Sequence, residues 1–172
     1  MSRSTPLPQR KLGWHVIHLS TVSSTNDYAK RLARSGQAHG TVVVADEQTR
    51  GRGQRGRRWA SPLGGLWASI LVRPSSISTE QVGLLNVAAA TAAAEAVAAL
   101  SGARIALKWP NDLLLGGHKV GGVLVETAAR AESVIWPSSA SASMSTIRGR
   151  AYRPASEAVR HRYVMSLATG SA

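Results

Sequence analysis

A mixed sheet with packed helices, of the α+β or α/β kind, follows from three features of the sequence. Short apolar runs of strand character recur along the chain, two helical patterns interrupt them, and a Gly116-Gly117 pair sits between two runs where a hairpin would turn. A length of 172 residues with 44% hydrophobic content supports one domain with a buried core and is too short for two.

Trp14 to Leu19 alternates apolar and polar residues and predicts a strand. Ser23 and Ser24 offer caps for a helix running to about Arg34, with Tyr28, Leu32 and Ala29 inward and Gly36 as its stop. Thr41 to Ala45 is a β-branched run and reads as a buried strand; the polar stretch Gln48 to Gly56 reads as a loop. Leu66 to Val72 resumes as a strand. Ser78 with Gln81 forms a capping-box pattern opening an alanine-rich helix that ends near Leu100, before Gly102. Ile105 to Trp109 and Val120 to Val125 are two further strands, joined through Pro110-Asn111-Asp112 and the glycine pair. Beyond Glu126 the composition turns to Ser, Ala and Arg, and only fragments such as Tyr163 to Leu167 suit a core. The expected partition is an N-terminal tail over 1–13, a domain over 14–126, and a disordered or foreign tail over 127–172.

No apolar run suggests the roughly 20 residues that cross a bilayer, and no apolar signal core follows Arg3, so a cytoplasmic protein is expected. Zero cysteines exclude a disulfide framework and thiolate metal sites, and the five histidines show no pair at metal-ligand spacing. A net charge of +12 would suit nucleic acid, but it is concentrated: Arg50, Arg52, Arg55, Arg57 and Arg58 crowd one glycine-rich stretch, and six more arginines follow Thr127.

Four clusters carry chemistry. In Arg50 to Trp59, alternating glycines let backbone approach a ligand while guanidinium forks offer paired donors to carboxylate or phosphate. The same composition suits a basic RNA-binding loop, and the Gly-Lys-Ser/Thr ending of a P-loop is missing. Lys108-Trp109-Pro110-Asn111-Asp112 combines a cation, an aromatic face and oxygen donors; Asp112 suits an amine or Mg²⁺, although Pro-Asn-Asp is also a plain turn. Lys119, ahead of Gly121 and Gly122, offers a point charge or is an exposed strand-edge lysine. Ser24-Thr25-Asn26 offers polar groups at a helix N-terminus or simply caps it. Among the aromatic residues, Trp59 alone is expected to stack on a base.

In order and spacing, Ser24-Thr25-Asn26, the run Ala45 to Trp59, Lys108-Trp109-Pro110-Asn111-Asp112 and Lys119 to Glu126 resemble the central domain of biotin protein ligases. The match covers about Trp14 to Glu126. The resemblance implies a fold related to class II aminoacyl-tRNA synthetases, with a mixed, largely antiparallel sheet. It also implies a two-step reaction: biotin and MgATP give biotinyl-5′-AMP and pyrophosphate, then a lysine of a biotin carboxyl carrier protein domain attacks the anhydride and releases AMP. By motif position Ser24, Thr25, Asn26 and Gln48 hold biotin's polar groups, with Gly51, Arg52, Lys119 and Gly122 about its chain and carboxylate. Arg52, Arg55 and Arg57 meet the phosphates, Trp59 lies near adenine, Lys108 and Asn111 belong to the ATP site, and Lys119 stabilises charge at the carboxylate and α-phosphate. Asp112, with Asn111, takes Mg²⁺ or the incoming lysine. Gln54 departs from an arginine in some members. With so short a stretch before the first strand, no winged-helix domain and no DNA binding are expected; the resemblance allows a homodimer. Lipoate ligases and octanoyltransferases, which share the fold and the acyl-to-lysine chemistry, are the nearest rival reading, and an inactive basic nucleic-acid-binding fragment is the rival from another class.

The family continues after this point with a Gly-Ile-Gly-Ile-Asn-Val-Asn strand, which the chain lacks. Trp136 to Thr146, with each Ser taken as TCN and read from the third base of the Trp codon, encodes Ala, two aliphatic or Phe positions, a Gly-type residue, aliphatic, Gly-type, aliphatic, Asn-type, Val and Asn-type. Ala-Val-Val-Gly-Ile-Gly-Ile-Asn-Val-Asn fits every position. A change of reading frame between Glu126 and Trp136 is the expected cause, and impaired folding and activity its expected consequence.

Overall fold

The computed structural model describes residues 15–73, 81–130 and 133–144. The tail over 1–13, Ser78 and Tyr163 to Leu167 lie outside them. Elements run β1 (His15–Val22), α1 (Thr25–Arg34), β2 (Thr41–Gln48), β3 (Leu66–Leu71), α2 (Val82–Ser101), β4 (Ala106–Lys108), β5 (Asp112–Leu115), β6 (His118–Arg130) and β7 (Ser133–Met144). They build one seven-stranded sheet in the order β1-β2-β3-β7-β6-β5-β4. β1 and β2 pair in parallel and every other neighbouring pair is antiparallel, which is the mixed, largely antiparallel sheet expected.

The β-branched start of β2 lies between two partner strands, and Val42, Val43, Val44 and Ala45 are buried, as a strand covered on both faces requires. α1 opens on Ser24, which has an extended backbone and whose Oγ accepts the Asp27 N–H at 3.4 Å, and it closes with Arg31 and Arg34 in its last turn. It buries Ala29 and Ala33, while Tyr28 and Leu32 are only half-buried. Small residues there bring the helix close to β2, β3 and β7. α2 seats Ala90, Ala94 and Val97 against Leu113, Val120 and Val123 and ends on Gly102 at φ 66°. Ser69 faces Thr25 of α1, whereas Leu66 packs with the α2 cluster. Being an odd number of residues apart on one strand, they place the two helices on opposite faces.

Several boundaries differ from expectation. α2 begins at Val82 with Gln81 as its N-cap residue; Ser78, the other half of the anticipated capping box, lies outside the described residues. Asp112–Leu115 is a strand of its own, hidden in the sequence because Pro110-Asn111-Asp112 reads as a turn, and Gly116-Gly117 close its hairpin with β6 at positive φ. Gly83–Ser101 has the length and mean hydropathy, 1.5, of a membrane span, contrary to the expectation that no run reaches that length. Its apolarity is largely alanine, and its buried face packs on the sheet.

The largest correction concerns the stretch after Glu126. β6 continues to Arg130, and Ser133–Met144, expected as tail, is the central strand of the sheet, pairing with β3 from Leu66↔Met144 to Leu71↔Ser139 and with β6 from Gly121↔Met144 to Arg130↔Ser133. Backbone pairing explains how so unlikely a sequence fills this place. Without an intervening strand β3 and β6 would each leave a row of N–H and C=O groups unpaired within the sheet.

Candidate functional site

The loop between β2 and β3 folds back on itself. Gln48 N donates to Ser61 O at 2.9 Å, Trp59 N to Gly51 O at 2.8 Å and Gly53 N to Arg57 O at 2.7 Å, and Arg52 bridges Arg58. Its tip, Gln54–Gly56, is a short 3-10 turn in which Arg55 has φ 57°. Gly51 lies in the fold of this loop, where an added Cβ would stand 2.4 Å from Ser61 Oγ and 2.5 Å from Trp59 O. Glycine is needed there for space.

Beneath the loop lies a buried polar bed. Gln48 Oε1 accepts from Thr25 N at 2.8 Å and Thr25 Oγ1 at 3.0 Å, and Gln48 Nε2 donates to Ser61 Oγ at 2.9 Å. Ser69 Oγ is 2.8 Å from Thr25 Oγ1 and 3.2 Å from Asn26 Oδ1. Asn26 Nδ2 donates to Glu126. Ser24, Thr25, Asn26, Gln48 and Ser69 are all buried, so these bonds are made where water cannot replace them.

Arg52 joins this bed to the loop. Its Nη1 and Nη2 reach the two oxygens of Asp27 at 2.6 and 2.7 Å, and Nη2 lies 3.3 Å from Glu126 Oε2. Lys30 Nζ is 3.1 Å from Glu126 Oε1. The hydrogen bonds from Arg52 hold the Asp27 carboxyl below the usual carboxylate range, and the same bonds push the guanidinium up.

A cleft of about 380 Å³ opens between the loop and the β5–β6 hairpin. Its floor is a corner where Lys119 Nζ sits 2.7 Å from Asp112 Oδ1 and 4.8 Å over the Trp59 ring. Gly122 lies beside this corner: a Cβ there would stand 3.5 Å from Asp112 Oδ1 and 3.7 Å from Lys119 Cε, ordinary packing distances. Asn111 fixes the turn ahead of Asp112, donating from Nδ2 to Val123 O at 2.8 Å and accepting Val123 N at 2.9 Å after the cis Trp109-Pro110 bond. Trp59 Nε1 is buried without a partner.

Of the residues singled out in the sequence, Arg52, Arg55, Arg57, Trp59, Asn111, Asp112, Lys119 and Gly122 line the cleft. Ser24, Thr25, Asn26, Gln48 and Gly51 gather under and within the loop. Lys108 does not join them: it is exposed on the edge strand β4 and does not line the cleft. Trp109, expected as an aromatic face but not as a stacking residue, lines the cleft at 80% exposure, so Trp59 is not the only aromatic face available to a base. Asp27, Lys30, Ser61, Ser69 and Glu126 also escaped notice. Glu126 is 100 residues from Asn26, and such a pairing leaves no local signature. Among the described residues no group of three His, Asp or Glu side chains is placed to hold a metal.

With the sheet, the arginine-glycine loop and the cleft in place, the class is given by a family match: the chain is a member of the biotin/lipoate A/B protein ligase family, whose profile matches residues 19–135. Within it, the chain is 40% identical over 124 residues to a bifunctional ligase/repressor BirA of Bacillus spizizenii, covering 72% of this chain and 38% of that protein. It is 39% identical over 118 residues to a biotin--[acetyl-CoA-carboxylase] ligase of Paracoccus denitrificans, covering 67% of this chain and 48% of the relative. The chain thus spans less than half the length of these curated relatives. A biotin protein ligase from Aquifex aeolicus in complex with biotin and ATP superposes with a TM-score of 0.60 at 30% identity, covering 91% of this chain and 62% of that one. The Leishmania major biotin protein ligase in complex with biotinyl-5-AMP shares the fold, with a TM-score of 0.69 at 22% identity over 90% of this chain and 73% of that one.

Proposed function

We propose that the chain is built to activate biotin as biotinyl-5′-AMP and to pass the biotinyl group to a lysine of a biotin carrier protein. The observation that carries this reading is the cleft itself, where Lys119 and the arginine loop face one another across space for a small ligand beside a buried polar bed. In the first step a biotin carboxylate oxygen attacks the α-phosphorus of ATP and pyrophosphate leaves. In the second the lysine amine attacks the acyl carbon, AMP leaves and an amide forms. Negative charge builds on the α-phosphoryl and departing pyrophosphate oxygens in the first and on the acyl oxygen in the second. Lys119 and the guanidinium groups of Arg55 and Arg57 are among the cations lining that space. Ser24, Thr25, Asn26 and Gln48 hold the polar end of biotin, Gly51 and Gly122 lie about its chain and carboxylate, and Trp59 and Trp109 offer faces to adenine.

Asp112 fits Mg²⁺ only as a single carboxylate supplemented by phosphate oxygens, an arrangement this ion accepts. When bound, the ion would neutralise phosphate charge. Asp112 itself holds Lys119 and, in this reading, is the carboxylate offered to the incoming lysine amine.

The central strand bears on whether the chain as written can act. β7 runs between β3 and β6, where the α2 cluster covers one face and the Ser69–Thr25 contacts the other. Such a position calls for aliphatic residues alternating with small ones. The shifted reading frame supplies that alternation, and the residues as written supply serine and alanine. A frame change between Glu126 and Trp136 accounts for both. Biotin-dependent exchange of pyrophosphate into ATP, measured for this chain beside a version with the frame restored after Glu126, tests the reading. Exchange in either supports biotin activation, exchange only in the restored chain supports the frame change, and exchange in neither, or with lipoate in place of biotin, overturns the assignment.

A further inference from the structure

Within the site proposed above, Arg52 stands apart from the other loop arginines. Both Nη atoms are engaged by carboxylates, and the cluster balances: Arg52 and Lys30 carry two positive charges against the two negative charges of Asp27 and Glu126. Arg55, Arg57 and Arg58 have no carboxylate within ion-pair distance among the described residues. A phosphate entering the cleft would gain little from a guanidinium that is already matched and much from one that is not.

We infer that Asp27 and Glu126 are positioning residues that fasten Arg52, and with it the first half of the glycine-rich loop, to α1 and β6 before any ligand binds. Arg52 is then a staple, and the anion-gripping work falls to the loop tip. The geometry has three parts. The bidentate contact fixes the guanidinium plane, the Arg52–Arg58 bridge carries that restraint across the loop, and the tip beyond Gly53 is tied back only through Arg57. This inference deepens the biotin-ligase reading by assigning Asp27 and Glu126 a part in the same site, but its central test needs no ligand.

Each loop arginine is a trypsin site, so cleavage reports where the loop is held. In the ligand-free full chain, cuts after Arg55, Arg57 and Arg58 are expected to be fast and cuts after Arg50 and Arg52 slow. Asp27→Asn removes the bidentate partner while keeping the side chain's shape, and is expected to speed cleavage after Arg52 by about fivefold, a modest factor because the pair is partly solvated. Glu126→Gln should act in the same direction and more weakly, and Asp27→Glu should restore protection. In the frame-restored chain Asp27→Asn should raise the KM for biotin and leave that for ATP less affected. Unchanged cleavage after Arg52 in both neutralised variants overturns the staple. So does failure of Asp27→Glu to protect when its urea midpoint equals that of the parent. Protection that depends on Asp27 in a chain without biotin-dependent exchange would leave the staple standing and count against the ligase reading alone.

Discussion

Gly51 gives the sharpest test of how the loop is built. Replacing it with alanine puts a Cβ 2.4 Å from Ser61 Oγ, 2.5 Å from Trp59 O and 3.1 Å from Gln48 Nε2. The serine hydroxyl can rotate away, but Trp59 O is backbone, and the same strand segment donates Trp59 N to Gly51 O at 2.8 Å. Restoring an ordinary contact of 3.4 Å from 2.5 Å requires the two sides of the loop base to part by about 0.9 Å, which stretches that hydrogen bond. Overpacking of this kind costs about 2 kcal/mol, and in a domain of this size that lowers Tm by about 4–8 °C. Gly53→Ala is the matched control. Its nearest neighbour would be Arg57 O at 3.7 Å and its φ of −108° suits any residue, so stability should hold or rise by a few tenths of a kcal/mol, roughly. Thermal unfolding followed by circular dichroism compares the two. Equal losses in both, or no loss in Gly51→Ala, would refute the claim that space at the loop base is the limiting requirement.

Gln48→Leu removes three hydrogen bonds from the buried bed and strands Thr25 N–H, so urea unfolding should show a loss of about 2–3 kcal/mol. Lys119→Ala, measured in whichever chain supports pyrophosphate exchange, should lower the rate by about 100-fold or more, with folding unaffected because the lysine side chain is half-exposed. Since Asp27 is depressed in the folded chain, its contribution is present above its ordinary value of 3.8 and is lost as pH falls through the lower folded value. The difference in urea midpoint between parent and Asp27→Asn should therefore be largest above about pH 5 and shrink in stronger acid; a difference that grows as pH falls would contradict the ion pair.

The periodic and punctuating residues made most of the fold legible. The β-branched run at Thr41, the Ser24 cap and the alanine helix with its Gly102 stop each carry a local physical reason, and each is found near its expected place. β5 was obscured because its first residue completes the turn-like Pro110-Asn111-Asp112, which leaves only three leucines before the Gly116-Gly117 turn. The cleft's cations were visible as motifs. What sequence could not show was which charges are already matched: Arg52 and Arg57 look alike in the loop, and only the approach of α1 and β6 separates the paired guanidinium from the others. β7 was misjudged for the converse reason. Its residues have no strand signature, and its place is set by the two strands that flank it.

The parallel pairing of β1 with β2 has a consequence for where chemistry can occur. Because the strands run the same way, α1 must carry the chain back across the sheet, and the ends of both strands fall on one rim. Ser24 leaves β1 there and the glycine-rich loop leaves β2 there, which is why Thr25 can meet Gln48 and Asp27 can meet Arg52. Had β1 and β2 formed a hairpin instead, those two exits would stand a strand's length apart, about 25 Å for eight residues, and the capped helix and the loop would serve opposite rims of the protein.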